Sequence, residues 1–285
     1  MRTVDDEHLM IVWRDGWVTY NEVTIGPKAY SNPEGQGGDK LELYGKPLDT
    51  SAATNPLNYG IVSPDDPSYA PSASAKATAP QKAFRRAKVT GSAWAWPDPT
   101  PTLEHVVFLK LPRKLNNGKR YRVHFAPGLN SDKDSGEFSF DIARSVSEAI
   151  HVNIVGYNPS HTQMKSADLY MWLGDGGARD YSSYAGRKVF LVNAKTGRTH
   201  EVGRVVFWKP SGPDFGEWNL TRSPVWTCDF SSFTGTGTYR LVVDGVGCSP
   251  DFELRRDAYF EPFKTSVRGF YYMRIGEPKQ LTPVP

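Results

Sequence analysis

Cysteine is scarce in this 285-residue chain, with only Cys228 and Cys248. Two thiols cannot form the disulfide framework of a small secreted scaffold. Both fall on strand ends flanking Tyr239, where a single bridge and a pair of buried free thiols are both open. Long apolar runs are also missing. None approaches the roughly 20 residues that cross a bilayer, so no membrane partner is expected. The opening MRTVDDEHLM is acidic and polar, so these residues are not expected to be a signal peptide, although one could have preceded them. Charge of one sign is lacking as well. The net charge of +3 is too small to imply a polyanion partner. The one dense basic cluster, Arg85-Arg86 with Lys82 and Lys88, reads as a solvated strand face. With no basic stripe and no recognition module, no nucleic-acid partner is expected.

Catalytic and metal signatures are absent too. There is no G-x-S-x-G elbow and no phosphate loop. Gly174-Asp175-Gly176-Gly177 and Gly35-Gln36-Gly37-Gly38 lack the strand-to-helix setting and read as loop glycines. The six histidines, His8, His105, His124, His151, His161 and His200, show no H-x-x-x-H pairing, so zinc is not expected. Asn130-Ser131-Asp132-Lys133-Asp134-Ser135-Gly136 alternates oxygen ligands as a calcium loop would, with Asp132 and Asp134 as candidate ligands. It lacks the sixth-position glycine and the glutamate at position twelve, and reads as a polar loop. Asp65-Asp66 before Pro67 reads as turn chemistry. No cofactor is expected, calcium being the one candidate.

What is present is the balance of many short strands: 26 glycines and 22 prolines for turns, and 13% aromatics for packing. Two blocks end alike. Gly118-Lys119-Arg120-Tyr121-Arg122-Val123 precedes Gly136-Glu137-Phe138-Ser139-Phe140. Gly237-Thr238-Tyr239-Arg240-Leu241 precedes Pro250-Asp251-Phe252-Glu253-Leu254. Each is a glycine turn, a Tyr-Arg-aliphatic strand, a loop and a final alternating strand. That pattern suits the tyrosine corner of an immunoglobulin-like sandwich. The predicted fold is therefore all-β, two tandem immunoglobulin-like β-sandwiches over 1–145 and 146–256, with a short C-terminal helix within 257–285. The boundary falls near 142–149, and so short a linker predicts a fixed interface.

Strands are expected at 9–13, 21–30, 41–44, 57–62, 84–90, 105–111, 120–126 and 137–142. In the second sandwich they are expected at 150–157, 165–172, 187–193, 202–208 and 225–229, followed by the two terminal strands. The Pro/Ser/Ala-rich stretch 63–81 reads as a long surface loop. Trp13, Trp172 and Trp226 lie in apolar strand patterns and read as core. Trp94 and Trp96 flank a proline-stiffened loop, and Trp208 and Trp218 bracket another. These four have two readings: loop anchors, or planar platforms on which sugar rings stack.

Residues 257–274 carry Phe260, Phe263, Val267 and Phe270/Tyr271 at helical spacing, an apolar stripe that needs a covering surface. Only eleven residues follow, so the chain is expected to be the front part of a larger protein.

The second half resembles the N-terminal immunoglobulin-like domain that precedes the catalytic barrel in family 9 glycoside hydrolases. Ile150-His151-Val152-Asn153-Ile154-Val155-Gly156-Tyr157 matches the opening I-x-V-N-Q-x-G-Y, with Ile154 where Gln is usual. Lys165-Ser166-Ala167 matches K-x-A. Asp229-Phe230-Ser231, then Gly237-Thr238-Tyr239-Arg240-Leu241, match D-F-S and G-x-Y-R-L, and Gly247 to Phe252 match the last strand. Phe270-Tyr271-Tyr272-Met273-Arg274-Ile275-Gly276 matches F-Y-x-x-R-x-G of the first barrel helix.

In such enzymes both catalytic carboxylates lie in the barrel, so no residue of this chain inherits a catalytic role. The resemblance implies a non-catalytic accessory region supporting a catalytic barrel, in a parent protein that is secreted or periplasmic. Two alternatives stand beside it. One is a free-standing carbohydrate-binding module using its exposed tryptophans on a poly- or oligosaccharide. The other is a protein-interaction module.

Overall fold

The computed structural model describes residues 1–19, 39–72, 76–93, 100–161, 165–214 and 216–274. The first half holds β1 (Arg2–Asp5), β2 (His8–Arg14), β3 (Gly16–Thr19), β4 (Lys40–Leu43), β5 (Tyr59–Val62), β6 (Lys82–Ala93), β7 (Thr100–Lys110), β8 (Lys119–Phe125) and β9 (Ser135–Phe140). A one-turn helix, α1 (Thr50–Ala53), is capped by the Asp49 side chain. The second half holds β10 (Ile150–His151), β11 (Ser166–Leu169), β12 (Lys188–Asn193), β13 (Thr199–Lys209), β14 (Val225–Asp229), β15 (Gly237–Val243), β16 (Gly247–Cys248) and β17 (Phe252–Leu254). It ends in α2 (Phe260–Tyr272). The chain is all-β with one substantial helix at its C-terminal end.

In the first half a four-stranded sheet, β1-β2-β7-β6, faces a three-stranded sheet, β5-β8-β9; β3 and β4 form a separate ribbon. Side chains alternate across a strand, and here both faces of the four-stranded sheet are covered. Leu9, Ile11, Val107 and Leu109 point into the core shared with Tyr59, Tyr121, Val123 and Phe140. Their neighbours Met10, Val106 and Phe108, with Val4, enter the core of the second half beside Leu169, Tyr184 and Val243. One sheet thus serves as a wall for two cores. This explains why β2 and β7 read as nearly continuous apolar runs rather than as alternating patterns.

In the second half the strand order is β10-β11-β14-β13-β12-β15, with β16 and β17 both pairing to β15. β13 belongs to both faces of this sandwich. Its first half pairs with β12 and its second half, from Val205 on, pairs with β14. The switch falls between Arg204 and Val205, just after Gly203, where a Cβ would lie 2.5 Å from the Asp229 carbonyl oxygen. Only glycine lets the strands approach so closely there.

Most expected strands are present within a few residues. The segment 150–157 forms a strand only at Ile150–His151. From Asn153 the backbone turns, the Asn153 side chain accepting from Val155 N at 3.0 Å. The strand expected at 21–30 lies outside the described residues. The stretch 63–81 is not merely a surface loop. Tyr69 is fully buried in the first core, and Asp66 caps the following turn through Ser68 N. Trp226 is buried as expected, whereas Trp13 and Trp172 are half-buried, the latter lying under the Arg222 guanidinium.

Candidate functional site

Three places concentrate chemistry among the described residues. The first is the seam between the halves. The β1–β2 turn carries Asp5, Asp6, Glu7 and His8 into the second sandwich. Asp5 is completely buried; its Oδ1 accepts from Glu7 N at 2.8 Å and from His8 Nδ1 at 3.0 Å, and its Oδ2 from Arg179 Nε at 2.8 Å. Arg179 also reaches Glu7 at 2.6 Å. Tyr184 donates to Asp6 Oδ1 at 2.6 Å, and Lys114 approaches Asp6 at 3.3 Å. Burial alone would push the Asp5 carboxyl up, but His8 and Arg179 together hold it at about 2. Asp6 is pushed the other way: its burial outweighs Tyr184 and Lys114 and raises it.

The seam has further contacts. Asp6 N donates to Gly245 O at 2.8 Å, and Ser147 Oγ donates to the Val4 carbonyl. The loop at Gly174–Gly176 lies on β6, where Asp175 accepts from Arg85 N at 2.7 Å. Gly174 has φ of 72°, and a Cβ would stand 2.2 Å from the Arg85 carbonyl oxygen. Every acidic group in this set faces a donor, and the set joins the two halves.

The basic cluster on β6 is not a free solvated face. Arg85 donates to His105 Nδ1 at 2.9 Å, and His105 Nε2 in turn donates to Asp15 at 3.0 Å. Arg86 pairs with Glu148 at 3.2 Å and lies over Phe108; Lys88 pairs with Glu104 at 2.8 Å. These charges are spent locally.

The second place is the end of β13 and the loop after it. Trp208 and Trp218 are 60% and 74% exposed. The ammonium of Lys209 lies 5.7 Å from the Trp208 ring and is paired with Asp214. Trp94 and Trp96 lie outside the described residues. On the adjoining outer sheet face stand His151, stacked on Tyr170 with ring centroids 3.9 Å apart, and Asp168. Burial raises the Asp168 carboxyl against the pull of His151 and Lys209, and burial lowers His151. Sequence reasoning singled out the two indoles because they bracket a loop. It missed Asp168, since an isolated strand carboxylate carries no signal until the sheet register places it.

The third place is α2, none of whose residues is buried. Phe260, Phe263, Val267, Phe270 and Tyr271 are between 49% and 72% exposed. The candidate calcium residues sit in an exposed turn, where Asp134 accepts from Ser135 Oγ at 2.9 Å. Among the described residues no group of three or more His, Cys, Asp or Glu side chains could hold a metal ion. No helix among them is long and apolar enough to cross a membrane. An open cleft of 410 Å³ is lined by Arg2, Phe138, Asp141 and Arg144 among others. Cys228 and Cys248 are both free and buried, which decides between the two readings of the thiols.

The fold thus defines an all-β chain whose second half is an immunoglobulin-like sandwich leading directly into an exposed helix. Residues 145–248 match the family model described as the cellulase N-terminal ig-like domain. An endoglucanase D of Acetivibrio thermocellus is 43% identical over 171 residues, 60% of this chain and 21% of the relative. A second endoglucanase D from the same organism is 43% identical over 58 residues, 20% of this chain and 9% of the relative. Among solved structures, a metagenome-derived glycoside hydrolase family 9 endoglucanase is 27% identical. The match covers 45% of this chain and 22% of that one, with a TM-score of 0.33. The chain therefore spans about a fifth of the length of the longer-matching curated relative.

Proposed function

We propose that this chain is the non-catalytic N-terminal region of a family 9-like glycoside hydrolase, and that α2 is the surface on which its catalytic domain packs. The observation that carries the reading is the contrast between α2 and the sandwich before it. The sandwich closes its own core, with Leu254 and Ala258 fully buried. Immediately afterwards, a 13-residue helix leaves its whole apolar stripe in water. Covering such a stripe stabilises by about 25 cal/mol for each Å² removed from water, so a partner surface gains much by docking there. The relatives named endoglucanase D supply the kind of partner. In this role the double sandwich is a rigid bracket that fixes α2 and, through it, the approach to a cleft held elsewhere.

The test uses the reading frame and the protein together. The frame beyond Pro285 is expected to run into a helical barrel with an Asp-rich motif. In that longer protein, Phe263→Glu with Phe270→Glu is expected to lower the melting temperature of the catalytic part and its turnover of soluble β-glucan. The 285-residue chain alone is expected to release no reducing sugar. A stop directly after Pro285, or glucan hydrolysis by this chain alone, overturns the reading.

A further inference from the structure

Exposed large apolar side chains gather at one end of the second sandwich. Val206, Phe207 and Trp208 at the end of β13, and Trp218 and Leu220 in the loop that follows, are each about half exposed or more. The loop is not a loose excursion. Asp214 pairs with Lys209, its carboxylate accepts from Leu220 N at 2.8 Å, and its own N–H donates to Trp218 O at 2.7 Å. Asn219 closes it further, donating to Ser211 Oγ at 2.9 Å and accepting from Arg222 N at 2.8 Å. Two indoles are thus held in water on an anchored backbone. A ligand that stacks on them has little ordering entropy to supply, which is the condition for a pre-organised site.

The polar rim of this patch is built by sheet register. His151 pairs with Asp168, Asp168 with Thr227, and Thr227 with Val206, so the four lie in a row on one outer face. Asp168 is half-buried, yet among the described residues its carboxylate has neither a hydrogen bond nor an ion pair, although carboxylates this far out of water ordinarily find donors. His151 spends Nε2–H on the Tyr170 carbonyl at 3.2 Å, which leaves Nδ1 as an acceptor. Lys209 connects rim to platform: its charge acts on the Asp168 carboxyl, and its ammonium lies 5.7 Å from the Trp208 ring.

We propose that this face binds a neutral oligosaccharide, pyranose rings stacking on Trp208 and Trp218 while hydroxyls donate to Asp168 and to His151 Nδ1. The ligand chemistry follows from the pairing of features. A sugar ring has an apolar C–H face that fits an indole and a rim of hydroxyl donors that satisfies an unpaired carboxylate. A protein patch pressed onto the same face has to cover Asp168 and then supply a matched donor, or leave the charge buried and unpaired. An acidic polysaccharide meets like charge at Asp168. The inference stands apart from the role of α2 and survives or fails without it.

The test is calorimetric titration of the intact chain with cellohexaose, xylohexaose, mannohexaose and chitohexaose, with oligogalacturonate as the acidic control. At least one neutral hexaose is expected to bind, and oligogalacturonate is not. Trp208→Ala and Trp218→Ala are each expected to weaken binding roughly tenfold, about 1.4 kcal/mol, with melting temperature unchanged. Asp168→Asn keeps the shape but not the charge, and is expected to weaken binding and to lessen the discrimination against oligogalacturonate. Phe263→Glu on α2 is expected to leave the affinity as it is. The proposal is overturned if no neutral hexaose binds, or if binding survives both tryptophan variants at full strength. It is equally overturned if those variants abolish only self-association of the chain.

Discussion

Asp5 and Asp6 are neighbours with opposite titration behaviour, and the difference follows from their partners. Asp5 accepts from Glu7 N, His8 and Arg179, and falls from 3.8 to about 2 on folding, His8 and Arg179 outweighing its burial. Its depressed value contributes stability that is present above about pH 4 and is lost as pH falls toward 2. The shift corresponds to roughly 2 kcal/mol at 1.36 kcal/mol per pKa unit. Asp6 is raised, so its ionisation opposes folding, and that opposition is relieved as pH falls through its raised value. Mild acid should therefore first stabilise the chain and stronger acid then unfold it. Urea midpoints measured from pH 7 to 2 are expected to show a maximum on the acid side. Asp6→Asn should remove the rise, and Asp5→Asn should flatten the fall. Arg179→Met leaves the buried Asp5 without its cation and is expected to cost about 3–5 kcal/mol at pH 7. The thiols obey the same physics. Burial pushes Cys228 up to about 12 and Cys248 up to about 11. Neither is expected to react with Ellman's reagent in the native chain at pH 8, and both should react in 6 M guanidinium. Fast labelling of the native chain contradicts the burial assigned to them.

At the scale of elements, the tyrosine-corner pattern in the sequence corresponds to two corners of unequal strength. Tyr121 on β8 accepts from Asn116 N at 2.8 Å and donates to Asp66 at 2.5 Å, in a buried setting. Tyr239 on β15 makes one bond, to Thr236 O at 3.2 Å. Tyr121→Phe orphans the Asn116 amide and leaves Asp66 Oδ2 with Asn116 Nδ2 as its remaining side-chain donor, with an expected cost of about 1–3 kcal/mol. Tyr239→Phe loses one weak neutral bond, with an expected cost below about 1.5 kcal/mol. Guanidinium unfolding of the two variants checks the order, and a larger loss at Tyr239 contradicts it. The corners were legible because the Tyr-Arg-aliphatic strand after a glycine turn is local. The Gly174 contact was not, because only the fold brings β6 to that loop. The aromatic loop was legible for its tryptophans but not for Asp168 or His151, whose placement depends on register across four strands. β10 was overcalled, since Val152 continues an apolar pattern whose backbone then turns at Asn153 under its own side chain.

The whole molecule turns on the four-stranded sheet that walls two cores. The expectation of tandem sandwiches with a short linker carried the idea of contact, but not of shared apolar packing. The clue was present in β2 and β7, where HLMIVW and HVVFL run apolar without the alternation that a one-sided sheet shows. Because Leu109 and Phe108 are consecutive and enter different cores, the halves share a wall and should unfold together. Scanning calorimetry is expected to give one transition with calorimetric and van't Hoff enthalpies equal. Phe108→Ala opens a cavity on the second-sandwich side and should cost about 3–5 kcal/mol. If the wall couples the cores, that variant lowers the single transition as a whole, and amide exchange quickens in β8 and β9 as well as in β12 and β15. If exchange quickens in the second half alone, or two transitions separate, the halves are independent domains that merely touch.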